Sequence, residues 1–219
     1  MKRTTRLPYP ATTFAVRLSV GERLFLRPAD TQAVLDAITD EQFDADEQLP
    51  YWAEHWPSTA VAVRYFDQHP PAPRHTVCEI GCGLGVLSWV LTRHGATVIS
   101  FDIAFPGCVF AAANLTRHGA PPRVLCADWR SPPFKARFDT IVAADVLYEA
   151  RWVAPVLHFV HSALADGGAA YVADPCRAHW ERFLGEAETR GLNPTRVHRE
   201  TLNQGKTTVE IVRLTKSKE

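Results

Sequence analysis

An excess of charge is the first thing this chain lacks. Lys plus Arg and Asp plus Glu number 24 each in 219 residues, so the formal net charge is zero. A balanced chain has no long-range field to draw in nucleic acid or an anionic membrane surface, and neither is expected as a partner. Long apolar runs are missing too: no stretch approaches the roughly 18 residues that span a bilayer. Met1 to Arg6 is basic but no apolar h-region follows it, so no secretory signal is read and the chain is expected in the cytoplasm. The absence of acids before Glu22 leaves a cleaved organelle peptide as the lesser alternative. The five cysteines are scattered and form no CxxC, which speaks against a disulfide framework or a zinc knuckle. Each is read instead as a small buried hydrophobe. His55, and the pair His158 and His161, find no convincing third ligand, so no metal site is expected. What the chain does have is 46% hydrophobic and 22% charged residues, the composition of one folded domain, with or without an appendage.

The proline-rich stretch Asp67–Arg74 reads as a connector. It separates an N-terminal extension, residues 1–74, from the main domain, residues 75–219. In the extension, Phe14–Leu18 and Arg23–Arg27 alternate around Val20-Gly21 as a hairpin. Asp30 or Thr31 caps a short helix through Ile38, the acidic stretch Asp40–Glu47 follows, and Ser58 or Thr59 caps a helix through Tyr65. After the connector, strand candidates Thr76–Ile80, Thr97–Phe101, Arg123–Ala127, Thr140–Ala144 and Ala169–Ala173 are separated by amphipathic stretches at Leu84–Arg93, Pro106–His118 and Trp152–Ala163. Short apolar strands alternating with helices predict an α/β fold, a mostly parallel Rossmann-like sheet covered on both faces. Thr195–Glu200 and Thr207–Leu214, joined at Asn203-Gln-Gly-Lys206, predict an antiparallel hairpin at its edge.

The most informative stretch is Glu79-Ile-Gly81-Cys82-Gly83-Leu-Gly85, where a strand gives way to a helix. Glycines there permit positive φ and the close approach of a ligand. Asp102 ends the next strand, where a carboxylate can accept hydrogen bonds from both hydroxyls of a ribose; Ile103 follows it. Dinucleotide sites use GxGxxG and present a helix N-terminus to a pyrophosphate. This loop is GxGxG with Glu79 two residues ahead, an acid that repels a pyrophosphate and suits the cationic amino-acid end of S-adenosylmethionine (SAM). Asp128-Trp129 follows the third strand, where an aspartate can bind an exocyclic amine and an indole can cover an adenine face.

Taken together these residues resemble the seven-β-strand SAM methyltransferases, from about Thr76 to Leu214. Two further motifs resemble the branch that contains the protein lysine methyltransferases, including those of the electron-transfer-flavoprotein β-subunit. One is Pro50-Tyr-Trp52-Ala-Glu-His-Trp56-Pro57, similar to that branch's P-[FY]-W-A-x-x-W-P segment. The other is Asp145-Val-Leu-Tyr148, similar to its D-x-x-Y motif after the fourth strand. The resemblance implies SAM as cofactor and a protein lysine as acceptor, with Asp145 recruiting the amine and Tyr148 aiming it. Ala144 precedes that motif on the cofactor side. Trp52 and Trp56 share one face if their segment is helical, and form a lid over the cofactor or an apolar slot for a substrate side chain, or else anchor the segment to the core. The fold alone does not choose an acceptor, so a small molecule and a catalytically silent SAM-binding partner module stay open. No Asn-Pro-Pro-Tyr-like motif follows the fourth strand, which speaks against a base-amino acceptor.

Overall fold

The computed structural model describes residues 6–39, 49–132 and 135–217. The acidic stretch Asp40–Glu47 lies outside them. The expected N-terminal hairpin forms as β1 (Ala11–Leu18) and β2 (Gly21–Pro28), antiparallel with Phe14 opposite Phe25. Helix α1 (Thr31–Asp36) starts as read, its Asp30 carboxylate accepting from Ala33 N–H.

The next helix departs from expectation. Tyr51–Ala53 forms one 3-10 turn, the chain extends at Glu54, and α2 (Pro57–Gln68) begins with proline in its first turn. Pro57 has no N–H to lose there and its φ is already helical. Ser58 is therefore inside the helix and not its cap. Asp67, placed by sequence in the connector, sits in the helix's last turn and is nearly buried. Its carboxylate accepts from Ser19 N–H of the hairpin turn at 2.6 Å and pairs with Arg93.

The main sheet runs β3 (Thr76–Ile80), β4 (Thr97–Asp102), β5 (Val124–Cys126), β6 (Phe138–Ala144), β7 (Leu164–Asp174), β8 (Leu192–Leu202) and β9 (Thr207–Lys216). Its order is β5-β4-β3-β6-β7-β9-β8, parallel through β7 and antiparallel for β9 and β8. The expected C-terminal hairpin thus closes one edge. Alternation divides the strands between two cores. Val77 and Val142 face α2, α3 (Val86–Arg93) and α4 (Phe105–Arg117). Cys78 and Ile141 face α5 (Val153–Ala163) and α6 (Trp180–Thr189). Helix α6 was not read from sequence, although Trp180, Phe183, Leu184 and Ala187 bury one stripe at helical spacing.

Cysteine burial is corrected at two positions. Cys78, Cys82 and Cys108 are buried, whereas Cys126 and Cys176 are exposed. Cys126 ends the short edge strand β5, and Cys176 lies past β7 with φ of 56°. No helix among the described residues is long and apolar enough to cross a membrane.

The chain leaves β3 toward β4 and β5, then returns to place β6 on β3's other side. That reversal opens a crevice beyond the carboxyl ends of β3 and β6, where open α/β sheets hold ligands.

Candidate functional site

Five segments converge on this crevice: the glycine loop after β3, the end of β4, the loops after β5 and β6, and the tryptophan motif ahead of α2. In the glycine loop, Gly81 has φ of 66° and Gly85 of 74°. A Cβ at Gly81 would lie 2.9 Å from Val146 Cγ1, and at Gly85 it would lie 2.9 Å from Ala111 Cβ. The first glycine lets the β3 and β6 loops meet, and the second lets α3 start against α4. Gly83 N–H donates to Asp102 Oδ2 and Ala104 N–H to Oδ1, each at 2.9 Å. The loop is thereby folded onto the carboxylate that ends β4. Asp102 is only 7% exposed, and burial pushes its carboxyl upward against the pull of those amides.

Of the residues singled out by sequence, Trp52, Trp56, Gly81, Cys82, Gly83, Asp102, Ile103, Trp129, Ala144, Asp145 and Tyr148 line one cleft. Glu79, Gly85 and Asp128 do not reach its wall. Asp128 is occupied by Arg130, whose Nε lies 2.6 Å from Oδ2. Glu79 is buried beneath the loop, where Ser88 Oγ donates to it.

Burial, reinforced by Asp102, raises the Glu79 carboxyl to about 8 from an ordinary 4.5. Between those values the folded state holds a proton that the unfolded chain releases. This contribution to stability is full below the unfolded value and is lost as pH rises toward about 8. Glu79→Gln should therefore melt later than the parent at pH 8, with the gap narrowing toward pH 5. Parallel melting curves across that range would refute a buried neutral Glu79.

Trp52 and Trp56 do not share a helical face, because the segment extends between them. Trp52 is buried over Gly107, where a Cβ would sit 2.9 Å from its own Cβ, and its carbonyl faces Gly83. It anchors the segment and also walls the cleft. Trp56 is half-buried, and its Nε1 donates to Tyr51 O at 2.7 Å. Trp129 packs edge-on against Trp152, with centroids 5.3 Å apart. Its buried Nε1 has no hydrogen-bond partner among the described residues, a donor left for a ligand.

Asp145 adopts φ of 63°, unusual for a residue with a side chain. Its carboxylate is already engaged: Oδ2 accepts from Ser58 N–H at the amino end of α2 and Oδ1 pairs with Arg177. Tyr148 stands against Tyr51 at 4.8 Å and Trp152 at 5.9 Å. Burial first, then the nearby Asp102 and Glu149 carboxylates, push its phenol above the ordinary range, so it is a neutral donor at physiological pH.

Sequence reading passed over Tyr51, Glu54, His55 and Thr59 as site residues, although all four line the cleft. The first three lie inside the quoted tryptophan motif, which was the available signal. Glu54 pairs with Arg27 of the hairpin at 3.1 Å. His55 packs near Phe14, and burial, aided by Arg64, lowers its pKa to about 4. It presents an uncharged imidazole.

The cleft suits SAM on its own chemistry: a buried carboxylate at a strand end, glycines that admit a close ligand, an unsatisfied indole donor and apolar walls. The comparisons agree. Cypemycin N-terminal methyltransferase of a Streptomyces species is 26% identical over 134 residues, covering 59% of this chain and 54% of that protein. The chain spans about half that relative's length. NodS, an N-methyltransferase from Bradyrhizobium japonicum solved with S-adenosylhomocysteine (SAH), superposes with a TM-score of 0.63 at 18% identity, over 86% of this chain and 99% of its own. Magnesium protoporphyrin IX methyltransferase from Synechocystis, solved with SAM, gives 0.57 at 20% identity, over 85% and 97%. At those identities the likeness is one of fold. Residues 45–204 match the methyltransferase domain family, and the chain accordingly belongs to the class I SAM-dependent methyltransferases.

Proposed function

We propose that this chain transfers a methyl group from SAM to nitrogen, with a protein lysine side chain as the acceptor. The observation that carries the reading is the acceptor side of the cleft. There Tyr51, Trp56 and Tyr148 form an aromatic wall beside the Asp145 carboxylate, and His55 adds no charge. Aromatic faces and a carboxylate favour a cationic alkylamine over an anionic or strongly polar acceptor. SAM supplies the activated methyl on a sulfonium. In this reading Asp102 takes the ribose hydroxyls, and the backbone of Gly81–Gly83 approaches the amino-acid end. Ile103, Trp129, Cys82, Trp52 and Ala144 close around the rest, while Glu79, Gly85 and Asp128 support the loop from outside the cleft.

The protein's task is then alignment and dehydration. Lysine is ordinarily protonated, with a pKa near 10.4, and must be neutral to attack. A dry aromatic slot next to a positive centre lowers that value by desolvation and like-charge repulsion. The Tyr148 hydroxyl is a neutral group able to orient the amine. Asp145 supplies the field that draws the cation in, although Arg177 and Ser58 share its carboxylate.

Incubation with methyl-labelled SAM and a soluble protein extract tests this. Label is expected on lysine side chains in protein, and Tyr148→Phe should slow its incorporation about tenfold. Label confined to metabolites would replace the lysine reading with a small-molecule acceptor. No label from a preparation that binds SAH would make the chain a silent SAM-binding module.

A further inference from the structure

Arg177 lies just past the carboxyl end of β7, outside every motif the sequence singled out. Its Nη1 donates to Asp174 Oδ2 at 3.2 Å, its own N–H donates to Asp174 Oδ1 at 2.8 Å, and its Nη2 pairs with Asp145. The two carboxylates are nearly sealed from water, and the guanidinium side chain is 27% exposed. Asp145 passes the connection on, since its other oxygen accepts from Ser58 N–H at 3.1 Å in the first turn of α2. Immediately ahead of that turn stand Trp56, hydrogen-bonded to Tyr51, and Trp52, whose carbonyl faces Gly83. One guanidinium thus ties the end of β7 to the arch that roofs the cleft.

We propose that Arg177 is a positioning residue for the cofactor cleft, fixing the Tyr51–Trp56 arch over the glycine loop through Asp145. The proposal rests on the reading of this cleft as the SAM site. The planar fork of arginine suits the role because it meets two carboxylates at once in fixed directions. Asp145 needs such support: its backbone is left-handed without being glycine, and its carboxylate must face an amide rather than water. Arg177 itself is not among the described residues that line the cleft.

SAH binding by calorimetry, melting without ligand and amide exchange test the proposal on the full chain. Arg177→Gln should weaken SAH about tenfold. It should also speed exchange at residues 58–60, with little change in β4 and β6. Arg177→Lys, which keeps the charge but not the fork, should recover only part of the affinity. Unchanged SAH binding alongside faster exchange in α2 would overturn the proposal. So would a loss of affinity that merely follows a general fall in melting temperature, or one that lysine restores in full. If Arg177→Gln does not fold, Asp174→Asn loosens the same guanidinium while keeping both carboxylate neighbours' shapes, and the same outcomes apply. Failure of the parent protein to bind SAH would instead strike at the SAM reading itself, and this inference would fall with it.

Discussion

Asp102→Ala is expected to weaken SAH binding by about a hundredfold or more. Two charge-assisted hydrogen bonds from ribose hydroxyls contribute about 1.5–3 kcal/mol each, and about 3 kcal/mol already corresponds to more than a hundredfold in affinity. The substitution also frees the Gly83 and Ala104 amides, which the carboxylate now holds at 2.9 Å. The glycine loop therefore loses its anchor together with the ligand contact. Asp102→Asn separates the two effects in part, because its one oxygen still accepts from the Gly83 or the Ala104 amide, while its NH2 faces the other and the charge is gone. Calorimetry with SAH should rank parent, Asn and Ala in that order. Equal affinity for parent and Ala variant would remove Asp102 from the cofactor contacts. Loss of all binding in Asn alone would point to a disturbed loop.

Asn114→Ala is expected to cost about 3–5 kcal/mol of stability, lowering the melting temperature by roughly 10 °C. Asn114 is fully buried on α4. Its Oδ1 accepts from Leu26 N–H at 2.7 Å, and its Nδ2 donates to Leu26 O and to Leu84 O, both at 2.9 Å. One amide side chain therefore serves as a strand partner for β2 and as a tether for the glycine loop. Alanine leaves three backbone groups without partners, and an unmet buried group costs about 1–3 kcal/mol. Asn114→Asp should be no better, since two carbonyls would then face a carboxylate. Urea unfolding should show the midpoint shifted with the slope retained. A shift under about 1 kcal/mol would mean that water replaces the amide and that the clasp is weak.

The parts of this protein that were legible in advance are those whose signal is local. Strand β3, the glycine loop and Asp102 announce themselves because a strand end, positive-φ glycines and an acid at the next strand end are each written in consecutive residues. The hairpin around Gly21 and the cap at Asp30 are local in the same sense. Long-range partners were not legible. Nothing in Asn114 distinguishes it from a surface asparagine until Leu26 is folded against it. Arg177 follows Pro175 and Cys176 in an unpatterned stretch, and its role depends on Asp145, just past β6, meeting Asp174 at the end of β7. Helix α6 was missed for another reason: Gly185 interrupts its pattern and Pro175 precedes it, so the apolar stripe was hidden behind residues that usually mark loops. The position of Glu79 ahead of the glycine loop suggests an acid facing a ligand, whereas its carboxylate turns toward Ser88. A side chain in a strand has two faces to choose from, and only the packed sheet decides which.

The clasp between Asn114 and Leu26 also has a consequence for synthesis. The two residues are 88 positions apart, with the amino-terminal partner made first. At about 5–20 residues per second, several seconds separate their addition to the chain. Through that interval β2 has no α4 to lie against, and an isolated two-stranded hairpin is marginal in water. Strand β2 and the Leu84 segment of the glycine loop thus become fixed in the same late event, when one asparagine joins them. Strand β2 is therefore made well before the helix that holds it in place.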